Sequence, residues 1–198
     1  MQSDGKKLYV GDENGKFYAL HFDSKNSLPV SDIMHPNNTF AKNTKLFEWI
    51  FEDPSISSIQ EDGNTYIYGD YILAAVNQKD KTEPAIIAID KSNGKLKWKT
   101  ELKGIEEWRL VGDKITASDG ELIYLLDTDG KITETIKTEK QFAPISNIEI
   151  DKNDNLIYAT EQGIVKYEVK TKKFVVLLKQ VFKKEYHDYF QVKYLKKK

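Results

Sequence analysis

Apolar and polar residues alternate with a period of two along most of this chain, in runs of about five residues set apart by Gly, Asp, Asn and Ser. The clearest case is residues 85–102, AIIAIDKSNGKLKWKTEL. Ile86, Ile87, Ala88 and Ile89 form an unbroken apolar run, which suits a strand covered on both faces. The DKSNG that follows collects turn residues: Asp, Ser and Asn bond to nearby backbone, and Gly accepts positive φ. Beyond it Leu96, Trp98 and Thr100 point one way and Lys95, Lys97 and Lys99 the other. That is the period of a strand with one wet face.

The same pattern recurs elsewhere. KLYV and KFYALHF, joined by GDENG, predict a hairpin over residues 7–22. Residues 28–43 hold Pro29, Pro36 and few periodic positions, and read as an insertion loop. KLFEWIF (45–51) resumes a strand with Trp49. A short strand (55–60), a DGN hairpin turn (62–64) and a strand broken or bent near Gly69 (65–68 and 71–77) are expected next. EWRLV (107–111) pairs with 114–117, SDG turns, and ELIYLLD (121–127), TDG and KITETIK (131–137) repeat AIIAID, SNG and KLKWKTE. The last copy has strands at 145–150, 156–160, GIVKYEV at 163–169 and FVVLL at 174–178, with a further strand expected at 189–195. Ile89, Leu126 and Tyr167 occupy matching places at spacings of roughly 37 and 41 residues, near the ~40–45 of a propeller blade. No helix-period segment of convincing length appears, so the fold class is all-β.

KLYVGDENGKFYAL, IIAIDKSNGKLKW and ELIYLLDTDGKI resemble the repeats of pyrroloquinoline-quinone-like β-propellers. PISNIEIDKNDNLIYATEQGIVKYEVKTKKF is more similar to the propeller repeats of sensor proteins. The resemblance implies a single β-propeller domain over 1–198, of about four four-stranded antiparallel blades, with the insertion at 28–43 and a basic tail at 196–198. The chain starts part-way through a blade, and FVVLL and YFQVKYL would complete that blade by pairing with the N-terminal hairpin. Such closure removes exposed strand edges. The competing arrangement is an open segment of a larger propeller, which would need a second copy or further chain to cover its ends.

Composition narrows the chemistry. A net charge of −1 gives no global pull toward nucleic acid, and none is expected as a partner. No apolar run approaches the roughly 20 residues of a membrane helix, so membrane insertion is not expected. There is no cysteine, which removes disulfides, thiol catalysis and cysteine-held zinc. The N-terminus enters a strand at once, so no signal peptide is expected in this stretch. The family resemblance favours an extracytoplasmic mature or excised domain; a native N-terminus would make it cytoplasmic.

Candidate site residues are few. Trp49 and Trp98 fall at equivalent places after a turn, and blade-to-blade packing is the favoured reading of repeated aromatics. Trp108 with Arg109 departs from the repeat and is a candidate partner contact, as are His35 and Phe40 in the insertion. His21, His35 and His187 lack metal spacing. The acidic turns DENG, DTDG and DKNDN lack the complete calcium-loop pattern and are expected to serve as hairpin turns. KKEYHDYFQVKYLKKK mixes lysines with aromatics, and a solvated end is favoured over polyanion contact. No catalytic, cofactor or metal residue is assigned. The expected function is a non-catalytic binding or scaffold domain that recognises a protein partner, as the sensor or surface module of a larger protein. The alternatives are a quinone-dependent dehydrogenase, which the resemblance implies by name alone, and a carbohydrate-binding propeller.

Overall fold

A computed structural model of the chain describes residues 1–21, 47–60, 64–182 and 191–195. The insertion 28–43, with His35 and Phe40, lies outside the described residues, as do His187 and the basic tail 196–198. The described residues hold seventeen strands and a single turn of 3-10 helix, and they divide into two compact units, Met1–Leu102 and Lys103–Lys198.

The first unit contains two sheets. One is built from β1 (Gln2–Ser3), β2 (Lys7–Gly11), β3 (Phe17–His21) and β4 (Phe47–Phe51), paired in that order. The other is built from β5 (Ile56–Ile59), β6 (Thr65–Tyr68), β7 (Tyr71–Gln78), β8 (Ala85–Asp90) and β9 (Leu96–Glu101). The second unit contains a sheet of β10 (Glu107–Val111), β11 (Lys114–Ser118), β12 (Leu122–Asp127) and β13 (Ile132–Lys137). Its other sheet has β14 (Glu149–Ile150), β15 (Leu156–Thr160), β16 (Gly163–Glu168) and β17 (Lys173–Lys179). Every pairing is antiparallel.

Each sheet carries one register shift between its last two strands: at Ala19/Leu20, Ala88/Ile89, Leu125/Leu126 and Ile164/Val165. A bulge adds a residue and increases twist. It recurs at matching residues in the first three sheets and falls two residues earlier in the last. β8 follows the expected rule for a fully covered strand: Ala85, Ile86, Ile87, Ala88 and Ile89 are all buried. Ile87 and Ile89 join Ile72, Ala74 and Val76 in a core with Tyr9, Phe17, Ala19, Trp49 and Phe51 of the first sheet. In the second unit, Ile123, Leu125 and Ile136 pack against Ile148, Leu156, Tyr158, Val165 and Tyr167.

Several expectations are sharpened or changed. The stretch around Gly69 is broken rather than bent. Gly69 takes φ +54° and turns β6 back onto β7 as a hairpin. β5 and β6 do not pair with each other across DGN; both pair with β7, at opposite ends of its length. The strand expected at 145–150 shrinks to Glu149–Ile150, because Ile145 and the Ser146 hydroxyl spend their bonds on Ala159. Among the described residues, Gln2–Ser3 pairs with Tyr9 and Leu8 to supply the first strand of the N-terminal sheet, where a C-terminal strand was expected, and FVVLL forms the fourth strand of its own sheet. Of the strand expected at 189–195, the described residues 191–195 form none. Instead Val192 is held at both backbone groups by the Asn147 side chain, at 2.9 and 2.8 Å.

Candidate binding surface

The acidic turns are structural. Asp12 accepts the backbone N–H groups of Asn14 and Lys16, Asp127 those of Asp129 and Lys131, and Asp151 those of Asn153 and Asn155. Two turns share a fuller device. Ser3-Asp4-Gly5 and Ser118-Asp119-Gly120 each use the serine hydroxyl on the glycine N–H and the aspartate on two later N–H groups. The other oxygen of each aspartate accepts a tyrosine hydroxyl, Tyr9 at 3.0 Å and Tyr124 at 3.4 Å. Burial works to raise the Asp4 carboxyl, but the N–H groups of Lys7 and Lys6 and the Tyr9 hydroxyl together hold it well below the usual carboxylate range. Glu106 is pushed up by burial and then by neighbouring Asp119, whose oxygens are already committed to its turn. These carboxylates fasten hairpins.

Trp49 packs as the repeat predicts. Its indole N–H donates to the Lys91 carbonyl at 2.9 Å, and its ring lies over Gly94, where a Cβ would stand 2.5 Å from the indole. Gly94 at φ +69° thus serves both the DKSNG turn and the close approach of the tryptophan.

Trp108 is not on an exposed face. Its side chain is only 2% exposed, on the inner side of a strand paired with Ala117. Arg109, next to it, is half-buried and donates to Glu149 Oε1 at 3.2 Å. Asn147 also donates to that carboxylate at 3.3 Å while holding Val192. The Nε of Arg109 is buried and has no hydrogen-bond partner among the described residues. Arg109 therefore belongs to a polar cluster that links β10, β14 and the C-terminal segment. The structure does not bring Trp108 and Arg109 together as a platform for a partner.

The exposed apolar surface lies instead on β17. Val176, Leu177 and Leu178 are each about half exposed (51, 51 and 50%), and Val175 beside them is 36% exposed. Only Phe174 of this strand turns inward, stacking on Phe142 at 4.5 Å between ring centroids. Single exposed apolar residues occur on the other outer strands, Ile50, Leu96 and Ile132, but four in succession occur only here among the described residues. Scattered exposure is ordinary, whereas a contiguous patch marks an interaction surface. Beyond the end of β17, Glu161, Gln162, Lys179, Gln180, Val181 and Phe182 line an open groove of about 530 Å³. The signal was present in the sequence: KFVVLLK occupies the place of KLKWKTE and KITETIK, without their alternating polar residues.

No family model matches the chain, and no curated protein sequence matches it. Solved structures do. BamB from Moraxella catarrhalis superposes with a TM-score of 0.53 at 16% identity, over 88% of this chain and 50% of that one. The N-terminal domain of Nup159 superposes with a TM-score of 0.52 at 12% identity, over 99% of this chain and 49% of that one. The fold is that of a β-propeller. At these identities the likeness shows the fold alone. The chain spans about half the length of either structure.

Proposed function

We propose that this chain is a non-catalytic β-propeller domain that recognises a protein partner, the sensor or surface module of a larger protein built from pyrroloquinoline-quinone-like and sensor-type repeats. The observation that carries this reading is the contiguous exposed run Val175–Leu178 on the outer strand of the last sheet. Exposed apolar surface of this kind is costly to keep in water and is kept where a partner covers it. Asp12, Asp127 and Asp151 fasten turns, and Arg109 is bound to Glu149.

The test is site-specific photo-crosslinking from position 177 in the cells that express the protein, beside assays of the purified protein. A discrete protein adduct at Leu177, absent from a probe placed on β13 at Thr133, supports the reading. An absorbing cofactor in the purified protein, or dye-linked alcohol oxidation on addition of quinone and calcium, would replace it with a catalytic one.

A further inference from the structure

We propose that the free edge of β17 docks an extended segment of a partner protein as an added strand, and that this segment carries acidic residues at both ends of a short apolar core. The proposal rests on the recognition reading above and specifies its mode and the chemistry of the partner.

Three observations lead to it. First, β17 pairs with β16 along one edge, from Gly163↔Lys179 to Glu168↔Lys173, and no described strand pairs along the other. An unpaired edge presents a row of backbone donors and acceptors that an extended peptide satisfies.

Second, the usual guards of such an edge are missing from its middle. Outer strands are normally protected by charges, prolines or bulges. β9 carries Lys97 and Lys99, and β13 carries Glu134. β17 has no charge between Lys173 and Lys179. Its bulge falls at Leu177, and from Lys173 to Val176 the strand is regularly paired with β16.

Third, the charges at its ends choose the occupant. Lys173 and Lys179 bracket the apolar run, and Lys170 and Lys172 stand in the preceding turn. A second copy laid antiparallel and centred on Val176 would set Lys173 opposite the partner copy's lysine at 179, at both ends. Like charges directly opposed across strands are destabilising. A parallel copy in register brings like lysines side by side as well. A foreign strand with carboxylates about six positions apart, spanning roughly 20 Å, meets both lysines favourably and covers Val175–Leu178 between them.

Isotope-labelled full-length chain is titrated with two capped peptides of alternating Val and Thr, about seven residues long, one with Glu at both ends and one with Lys. The Glu peptide is expected to shift and protect the β17 amides and to bind at least about tenfold more tightly than the Lys peptide, with the advantage shrinking as salt rises. The double variant Lys173→Glu/Lys179→Glu is expected to reverse the preference. Val176→Lys, which adds a guard to an exposed position, is expected to abolish binding of the Glu peptide while the amide spectrum elsewhere stays folded. Equal binding of the two peptides, no binding of either, or dimerisation of the chain through β17 overturns the proposal. If neither peptide binds but the crosslinked adduct at position 177 persists, strand addition fails and the recognition reading stands. If the Glu peptide binds but no protein is crosslinked, the recognition reading is the one that fails.

Discussion

β4 and β17 hold the same place in their sheets, the fourth strand, each paired to the third through one register shift, yet they are used in opposite ways. β4 turns its two largest side chains inward. Trp49 and Phe51 are buried, and Trp49 reaches the turn of the following sheet through Lys91 and Gly94. β17 sends only Phe174 inward and leaves Val175 to Leu178 in water. The lesson is that position in the repeat fixes the backbone of a blade, while the choice of side chain on the outer strand decides whether that strand locks sheets together or offers itself outward.

The largest effect is expected from breaking the inward strand. Trp49→Ala removes a buried indole that packs on Tyr9 and Gly94, and should cost about 3–5 kcal/mol in urea unfolding. Trp49→Phe keeps most of the packing and isolates the bond to Lys91, worth about 1 kcal/mol. If Trp49→Ala costs less than ~1 kcal/mol, the packing assigned to it is wrong.

A backbone change should come next, on the outward strand. Gly163 sits at φ +146°, and a Cβ there would stand 1.9 Å from the Leu178 carbonyl oxygen. That atom is backbone and cannot swing aside. Gly163→Ala should therefore displace β17 and cost about 3 kcal/mol, with lost hydrogen-exchange protection in β16. Gly112→Ala is the control. It also has positive φ (+66°) but nothing within 4 Å, and should cost only about 1 kcal/mol.

Most of the fold was legible because the strands depend on local pattern. Alternation, Gly- and Asp-bearing turns and the roughly 40-residue repeat are written in consecutive residues. The mistakes came where a residue's partner is distant or very short. Gln2–Ser3 is two residues long and has no period to read, so the first sheet seemed to need a strand from the far end of the chain. FVVLL was read as a strand that would pair with the N-terminal hairpin; among the described strands it pairs with β16 alone, which its own residues do not encode. Trp108 departs from the repeat and looked free for a partner, yet burial depends on what packs against a strand, which its own segment does not encode. The exposed run of β17 was thus visible as a sequence but was not among the candidate site residues.

The hold on the N-terminal sheet should also depend on pH, through Asp4. Its folded-state carboxyl is held below the unfolded value, so the stability it adds is present above about pH 4 and is lost as pH falls through the folded value. Asp4→Asn should lower the urea midpoint at neutral pH, and the gap from the unaltered chain should narrow as pH falls below about 4. A gap constant with pH would mean that the carboxylate's charge adds nothing to its bonds with Lys6, Lys7 and Tyr9.

The smallest stability effect is expected where the largest functional one is proposed. Val176 is about half exposed, so Val176→Lys should move the unfolding free energy by no more than about 0.5 kcal/mol. The reciprocal change, Glu134→Val with Thr135→Val, gives β13 an apolar centre like that of β17 at a similarly small stability cost. Thr135 is exposed, and Glu134 lies 3.9 Å from Lys172. Lys131 and Lys137 bracket this new centre six positions apart, as Lys173 and Lys179 bracket that of β17, so the same like-charge pairs oppose self-pairing. The altered β13 should therefore take up the Glu peptide as β17 does, while the chain sediments as the same species as the unaltered one. If the altered β13 takes up no Glu peptide, an uncharged centre between lysines is not enough to make an outer strand of this fold adhesive, and the exposed run on β17 must be recognised by its side chains rather than by its edge.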